Sequence, residues 1–360
     1  MRRDGGAHLT VEAVDFLLVS PGTTAGWRHA DAEIARALEE LGASVATCTS
    51  EFRLARHLRR TVLMTDLAEA GAMRRALTRA LRRWRPRAIL YSSPQAAMLQ
   101  PRSRLAGAAV RYDVPAARNR FGAGSSLLHA LERRALGSAR LLLPIGVEPA
   151  PAQRIDGVDT PMVALPIPID APAGGAEREP LAITYAGNPD KKGLDLALGA
   201  WARARADGWR LVVTGIDAEH GRRFLAGRNL HEPEGVEWTG IVDRERYREL
   251  LRRAAVYVSA SRYEDYGLAQ LEALAAGMLL VTVPSDGALA ALPHARELDP
   301  ALVAADVSAA ALARALEAAF ALGPEARRAY AERARVLVRA HSRETLRERL
   351  AAEVLPVLLD

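Results

Sequence analysis

Short apolar runs of strand length, each passing through a turn into a helix, recur along the chain and restrict it to one class of fold. Residues 14–20 (VDFLLVS) form such a run, followed by the turn-rich Pro21-Gly22-Thr23-Thr24-Ala25-Gly26. A helical pattern then occupies 29–41, with Ile34, Ala35, Leu38 and Leu41 on one face and Gly42 as its stop. Residues 44–49 complete a β-α-β unit, and 88–91, 107–110 and 141–144 read as further strands, with a helix over 127–136. Strands that are apolar throughout, rather than alternating, belong to a parallel sheet covered on both faces.

The rhythm stops once. Between Pro161 and Pro180 five prolines and two glycines exclude a regular element. It then restarts, with strands expected at 183–185, 210–214, 236–239, 256–259 and 279–283 and helices at 193–206, 244–254 and 267–276. Long Ala/Arg/Glu/Leu helices close the chain at 309–321, 324–340 and 343–359. The expected organisation is two Rossmann-like α/β domains, 1–170 and 171–360, the second carrying the terminal helices, with the last of them free to pack back on the first domain. Ligands of open parallel sheets bind beyond the C-terminal ends of the strands, which puts the expected site in a cleft between the two domains.

Composition removes several function classes. A single cysteine, Cys48, allows neither an intrachain disulfide nor a cysteine metal cluster. No apolar stretch approaches the roughly 20 residues of a bilayer span, and the acidic Asp4, Glu12 and Asp15 interrupt any secretory leader, so a cytoplasmic protein is expected. The eight histidines show no metal-ligand spacing, and Gly122-Ala123-Gly124-Ser125-Ser126 is not a serine-hydrolase elbow, so neither a metal nor that chemistry is expected. The net charge of +6 divides into +8 for residues 1–175 (24 Arg, 16 acidic) and −2 for 176–360 (25 basic, 27 acidic). Eleven arginines fall in 52–87, where Met73, Leu77, Leu81 and Trp84 line one face of an expected helix over 72–84. Such a basic amphipathic helix suits an anionic membrane surface at the inner face; the same stripe also suits packing on the chain's own sheet. No nucleic-acid-binding motif accompanies the charge, and a nucleic-acid partner is not expected.

Two segments carry chemistry. The only lysines are adjacent, Lys191 and Lys192, in Ala186-Gly187-Asn188-Pro189-Asp190-Lys191-Lys192-Gly193, between a strand and a helix. Glycines, a loop and a compact cation at a helix N-terminus suit a phosphate group, although the spacing is not that of a P-loop. The second segment, SRYEDYGLAQLE, puts Glu264 before a helix and Glu272 within it, two carboxylates flanking a helix N-terminus.

The stretch SRYEDYGLAQLEALAAGMLLVTVPSDG resembles the signature of GT-B glycosyltransferases, specifically the retaining family 4 (glycosyl transferases group 1), in which a Glu is followed by seven residues and a second Glu. AGNPDKKGLDLALGAW is similar to that family's G-x-x-x-x-K-G-x-D segment through Gly187, Lys192, Gly193 and Asp195, and VEWTGIV to its strand beside the nucleobase. The resemblance implies a GT-B fold, two Rossmann-like domains facing a central cleft. It also implies retaining, metal-independent transfer of a hexose-type sugar from a nucleotide diphosphate donor, UDP- or GDP-linked, to a sugar, lipid-linked or small-molecule acceptor, with no cofactor. By carry-over Lys192 and Glu264 are the catalytic pair, Lys192 on the leaving diphosphate and Glu264 on the donor sugar's hydroxyls. Gly187, Asn188, Lys191, Tyr266, Gly267 and Leu268 join them around the donor, Glu272 takes the ribose, and Gly240 and Ile241 the base. The first half matches in outline only, with Gly22, Gly26, His29, Arg111 and Asp113 as acceptor-side candidates.

Departures are visible. Asn188 stands where the family often has Arg, Asp217 where a second Gly is usual, no Glu follows Asp286-Gly287, and Arg111-Tyr112-Asp113 occupies the place of a His-Asp pair. They keep two alternatives open, a non-catalytic nucleotide-sugar binding protein and an epimerase or hydrolase of the same fold.

Overall fold

The computed structural model describes residues 11–22, 25–50, 62–122, 124–169, 178–204 and 207–359. The leader reading at 1–10, Thr23, Thr24, Ala123, His57, the arginines at 53, 56, 59 and 60, and linker residues 170–177 lie outside them. The chain divides into two compact units, Met1–Pro168 with His341–Asp360, and Ile169–Ala340. The break therefore falls inside the proline-rich stretch, and 341–360 groups with the first unit rather than with the rest of 171–360.

The first unit is built on five parallel strands, β1 (Glu12–Ser20), β2 (Val45–Thr49), β3 (Trp84–Tyr91), β4 (Ala108–Tyr112) and β5 (Leu141–Pro144), in the order β2-β1-β3-β4-β5. Its principal helices are α1 (Ala25–Glu40), α2 (Val62–Ala80) and α6 (Ser125–Leu136), with short α3 (Pro94–Met98), α4 (Arg102–Leu105) and α5 (Ala116–Asn119) between them. Successive side chains of a strand point to opposite faces. Leu17 and Val19 accordingly join Met73, Leu77, Leu105 and Leu136 in one apolar layer, whereas Phe16 and Leu18 join Ile34 and Leu38 of α1 in the other. The second layer is completed from the far end of the chain. Helices α14 (Arg343–Arg349) and α15 (Leu355–Leu359), joined by a π-helical turn, present Leu346, Leu350, Val354 and Leu358 at every fourth position, and all four are buried in that layer. Arg343 clasps Glu33 of α1 with two hydrogen bonds, and Arg87 binds the Leu359 carbonyl.

The expected helix over 72–84 needs correction. Helix α2 ends at Ala80, and Trp84 opens β3, because its pairing with Glu12 starts the β1–β3 ladder there. Met73 and Leu77 are fully buried, and Leu81 and Trp84 pack on the same layer, so the apolar face offered above to a membrane lies inside the protein's own core. No helix among the described residues is long and apolar enough to cross a membrane.

The second unit repeats the plan with β6 (Glu179–Tyr185), β7 (Arg210–Thr214), β8 (Val236–Gly240), β9 (Ala254–Ser259) and β11 (Leu279–Thr282), all parallel, in the order β11-β9-β6-β7-β8. Its helices are α7 (Leu194–Trp201), α8 (Ala218–Ala226), α9 (Arg244–Arg253), α10 (Leu268–Ala275), α11 (Ala291–Leu298), α12 (Ala309–Ala321) and α13 (Pro324–Leu337). Helix α7 is shorter than the expected 193–206, and α8 and α11 are additional. Asp217 caps α8 by accepting the His220 amide, the signal for that helix; α11 carries Pro293 in its first turn, where a proline is tolerated but reads as a breaker. A two-residue pair, β10 (Tyr263–Glu264) with β12 (Asp286–Gly287), lies beyond the main sheet.

Candidate functional site

In the second unit the strand order reverses at β6, which pairs with β7 on one side and β9 on the other. The loops leaving β6 and β9 therefore part at a topological switch point, where open α/β sheets bind ligands. The β6 loop is a tight turn. Asn188 accepts the Lys191 amide on its side chain and the Lys192 amide on its carbonyl, and Leu194 returns its amide to Pro189. Gly193 has φ +63°, and a Cβ there would stand 2.0 Å from the Ala260 carbonyl oxygen of the β9 loop. Only glycine lets the two loops lie this close.

That approach brings Lys192 to Glu264. The ammonium lies 2.7 and 2.9 Å from the two carboxylate oxygens, and Lys191 pairs with Asp265 at 2.5 Å. Glu264 is only 5% exposed, so its charge needs partners. Besides Lys192, Gln270 of α10 donates to it at 3.2 Å while also donating to Ser259 at 2.9 Å. Gly267, at φ +85°, starts α10 without a side-chain cap; a Cβ there would meet Leu289 at 2.4 Å. Its neighbours Tyr266, which is buried, and Leu268 complete this corner. Two cations, a buried carboxylate and the uncapped amide end of a helix thus share one corner, a combination suited to an anion bearing hydroxyl groups.

Other members of the expected set lie apart from this corner. Glu272, 6% exposed, sits one turn further along α10 and pairs with Arg244 of α9 at 2.7 Å. Gly240 (φ +67°) ends β8 and Ile241 follows it, two strand spacings or about 10 Å from β6. Ile241 is 91% exposed, an apolar side chain offered to solvent at the sheet's C-terminal end. The space that Gly187 was expected to open to a phosphate is used by Tyr185: a Cβ at Gly187 would lie 2.3 Å from the Tyr185 hydroxyl, and one at Gly215 2.5 Å from its ring. The ring centre stands 5.9 Å from the Lys192 ammonium.

The first unit's sheet reverses between β1 and β3. There Gly22 (φ +59°) donates its amide to the Ser20 hydroxyl, which donates to Asp31. Asp31 pairs at 2.9 Å with Arg111, whose guanidinium lies 4.9 Å from the Trp27 ring centre. Burial pushes the Asp31 carboxyl up, against the pull of Arg111. Arg111 is 1% exposed, so this acceptor-side candidate is turned inward to hold α1 on β4. Gly26 lies in the first turn of α1, His29 reaches the Pro168 carbonyl at 3.4 Å, and Asp113 accepts the Val114 amide at 2.7 Å. Asp31 went unnoticed in the sequence; its signal is an acid three residues before Ile34 on the apolar stripe of α1. A second buried group is Glu132, which accepts the Ala116 amide at 2.6 Å and is pushed up to about 7, chiefly by burial. Among the described residues no three His, Cys, Asp or Glu side chains gather as a metal site.

Comparison with known proteins gives the following likenesses. Residues 169–337 match the family model described as glycosyl transferases group 1. That match spans nearly the whole of the second unit. Solved structures extend the likeness of fold to the first unit, and the chain as a whole has the GT-B fold. Sucrose-phosphate synthase from Thermosynechococcus elongatus superposes with a TM-score of 0.73 at 16% identity, covering 94% of this chain and 97% of that one. WaaG, a glycosyltransferase involved in lipopolysaccharide biosynthesis, gives 0.67 at 18% identity over 95% and 98%. The α,α-trehalose 6-phosphate synthase from Burkholderia multivorans gives 0.65 at 14% identity over 96% and 99%. No curated protein matches the sequence.

Proposed function

We propose that this glycosyltransferase is a retaining enzyme of family 4 that moves a hexose from a UDP- or GDP-linked donor to a sugar or lipid-linked acceptor, without a metal or other cofactor. The observation that carries the reading is the pairing of Lys192 with Glu264 beside the uncapped start of α10, at the switch point of the group 1 domain.

Glycosyl transfer passes through a transition state of oxocarbenium character while negative charge grows on the leaving phosphate. Fixed cations and amides aimed at that charge serve it better than a strong base. Lys192, Lys191 and the amides of Gly267 and Leu268 supply them. When the diphosphate takes over Lys192, the Glu264 carboxylate is left with Gln270 and is free to accept hydrogen bonds from the hydroxyls of the donor sugar. Glu272 plays the corresponding part for the ribose, and Ile241 with Gly240 offers the base an apolar surface. The lipopolysaccharide role of WaaG supports a glycan or lipid-linked acceptor for this chain too.

Thermal shift against UDP, GDP and ADP and their sugars tests the reading, with Lys192→Ala and Glu272→Ala as controls. A ligand at 100 times its dissociation constant adds about 2.7 kcal/mol to stability. Stabilisation by one nucleotide series, weakened in both variants, is the expected result; silence from all of them removes the proposal.

A further inference from the structure

One residue ties the site's loops together. Arg262, in the β9 loop, meets Asp195 of α7 through a two-pronged ion pair at 2.9 and 2.7 Å. The same guanidinium donates to the Asp190 carbonyl at 3.0 Å, inside the lysine loop. Its backbone is engaged as well: the Arg262 amide donates to the Lys191 carbonyl at 3.0 Å, and its carbonyl accepts the Asp286 amide at 3.1 Å. The loops after β6, β9 and β11 are thus all fastened to Arg262. Both lysines lie between its anchoring points at Asp190 and Asp195, and Glu264 lies two residues beyond it.

The two kinds of charge pair at this corner differ in what a ligand can do to them. Lys192 and Lys191 hold carboxylates through single ammonium groups, which an anionic ligand can exchange for its own oxygens. The Arg262–Asp195 pair is a planar fork on a planar carboxylate, and forming it costs little further ordering. Burial works to raise the Asp195 carboxyl, but the hydrogen bonds and charge of Arg262 outweigh it and hold the group below its ordinary value.

Building on the function proposed above, we infer that Arg262 is a positioning residue: through Asp195 and Asp190 it sets Lys192 at the height where the ammonium meets the terminal phosphate of a nucleoside diphosphate. It touches no substrate. Its effect is on the increment in affinity that the second phosphate provides, and a scaffold residue would have no such selective effect.

The test compares binding of uridine and guanosine mono- and diphosphates by isothermal titration to the full chain, to Arg262→Met and to Asp195→Ala. The wild type prefers the diphosphate. Both variants lose about tenfold of that preference, the worth of one misplaced charge-assisted hydrogen bond, while monophosphate affinity stays within about twofold. The double variant is no worse than Arg262→Met alone, since the arginine substitution already removes the pair with Asp195. Arg262→Lys keeps the charge without the fork and falls between, which keeps the test decisive should the methionine variant not fold. A preference unchanged in all variants overturns the inference, as does an equal loss for mono- and diphosphates. A wild type that binds neither diphosphate overturns the reading of the site itself, and this inference with it.

Discussion

Removing one partner of the Lys192–Glu264 pair should cost more than removing both. In Lys192→Met, Glu264 stays buried, with Gln270 at 3.2 Å as its remaining donor among the contacts described. Breaking a buried ion pair on one side typically costs about 3–5 kcal/mol. The Lys192 side chain is 19% exposed against 7% for Glu264, so water enters from the lysine side and a cost at the lower end, about 3 kcal/mol, is expected. Lys192→Met/Glu264→Gln removes the stranded charge and should return to within about 1 kcal/mol of the wild type. Urea denaturation followed by fluorescence reads the effect, since Trp201, Trp209 and Trp238 all lie in the second unit. A double variant as unstable as the single one would refute the view that Lys192 supports the buried Glu264 side chain.

Three further outcomes are expected. Gly193→Ala puts a Cβ 2.0 Å from the Ala260 carbonyl oxygen at a positive φ, so the two loops must part; nucleoside diphosphate affinity should drop about 5- to 30-fold for a strain of about 1–2 kcal/mol. Arg178, before β6, donates to the carbonyls of Leu251, Ala254 and Ala276 at the ends of α9 and α10, and burial lowers its pKa to about 10; Arg178→Met should destabilise the second unit by about 2–4 kcal/mol in the same urea assay. Glu132, raised from 4.5 to about 7, is protonated more readily folded than unfolded, so its contribution is fully present below about 4.5 and is lost as pH climbs through about 7. The melting temperature of the wild type should therefore decline over that window, and Glu132→Gln should flatten the decline.

Much of the fold was legible because it rests on local signals. The strands at 141–144 and 210–214 and the helix at 309–321 have the boundaries read from the apolar pattern, and the lysine and glutamate segments were recognisable as motifs. A run of apolar residues, a cap or a helix-stopping glycine acts within a few positions of itself, so periodicity reveals it. Charge partners across the fold have no such signature. Lys192 and Glu264 stand 72 positions apart, Arg111 and Asp31 80, Arg343 and Glu33 310, and no period links them. The same holds for Tyr185, whose ring fills the space beside Gly187 and Gly215, and for the stripe of α2, whose amphipathic pattern is the same whether it faces a sheet or a lipid surface. The sequence by itself determined most of the strands and the long helices, and that two parallel sheets result. Tertiary structure decided which charges meet, because that depends on how strands are ordered in a sheet, and strand order follows from packing the whole core at once.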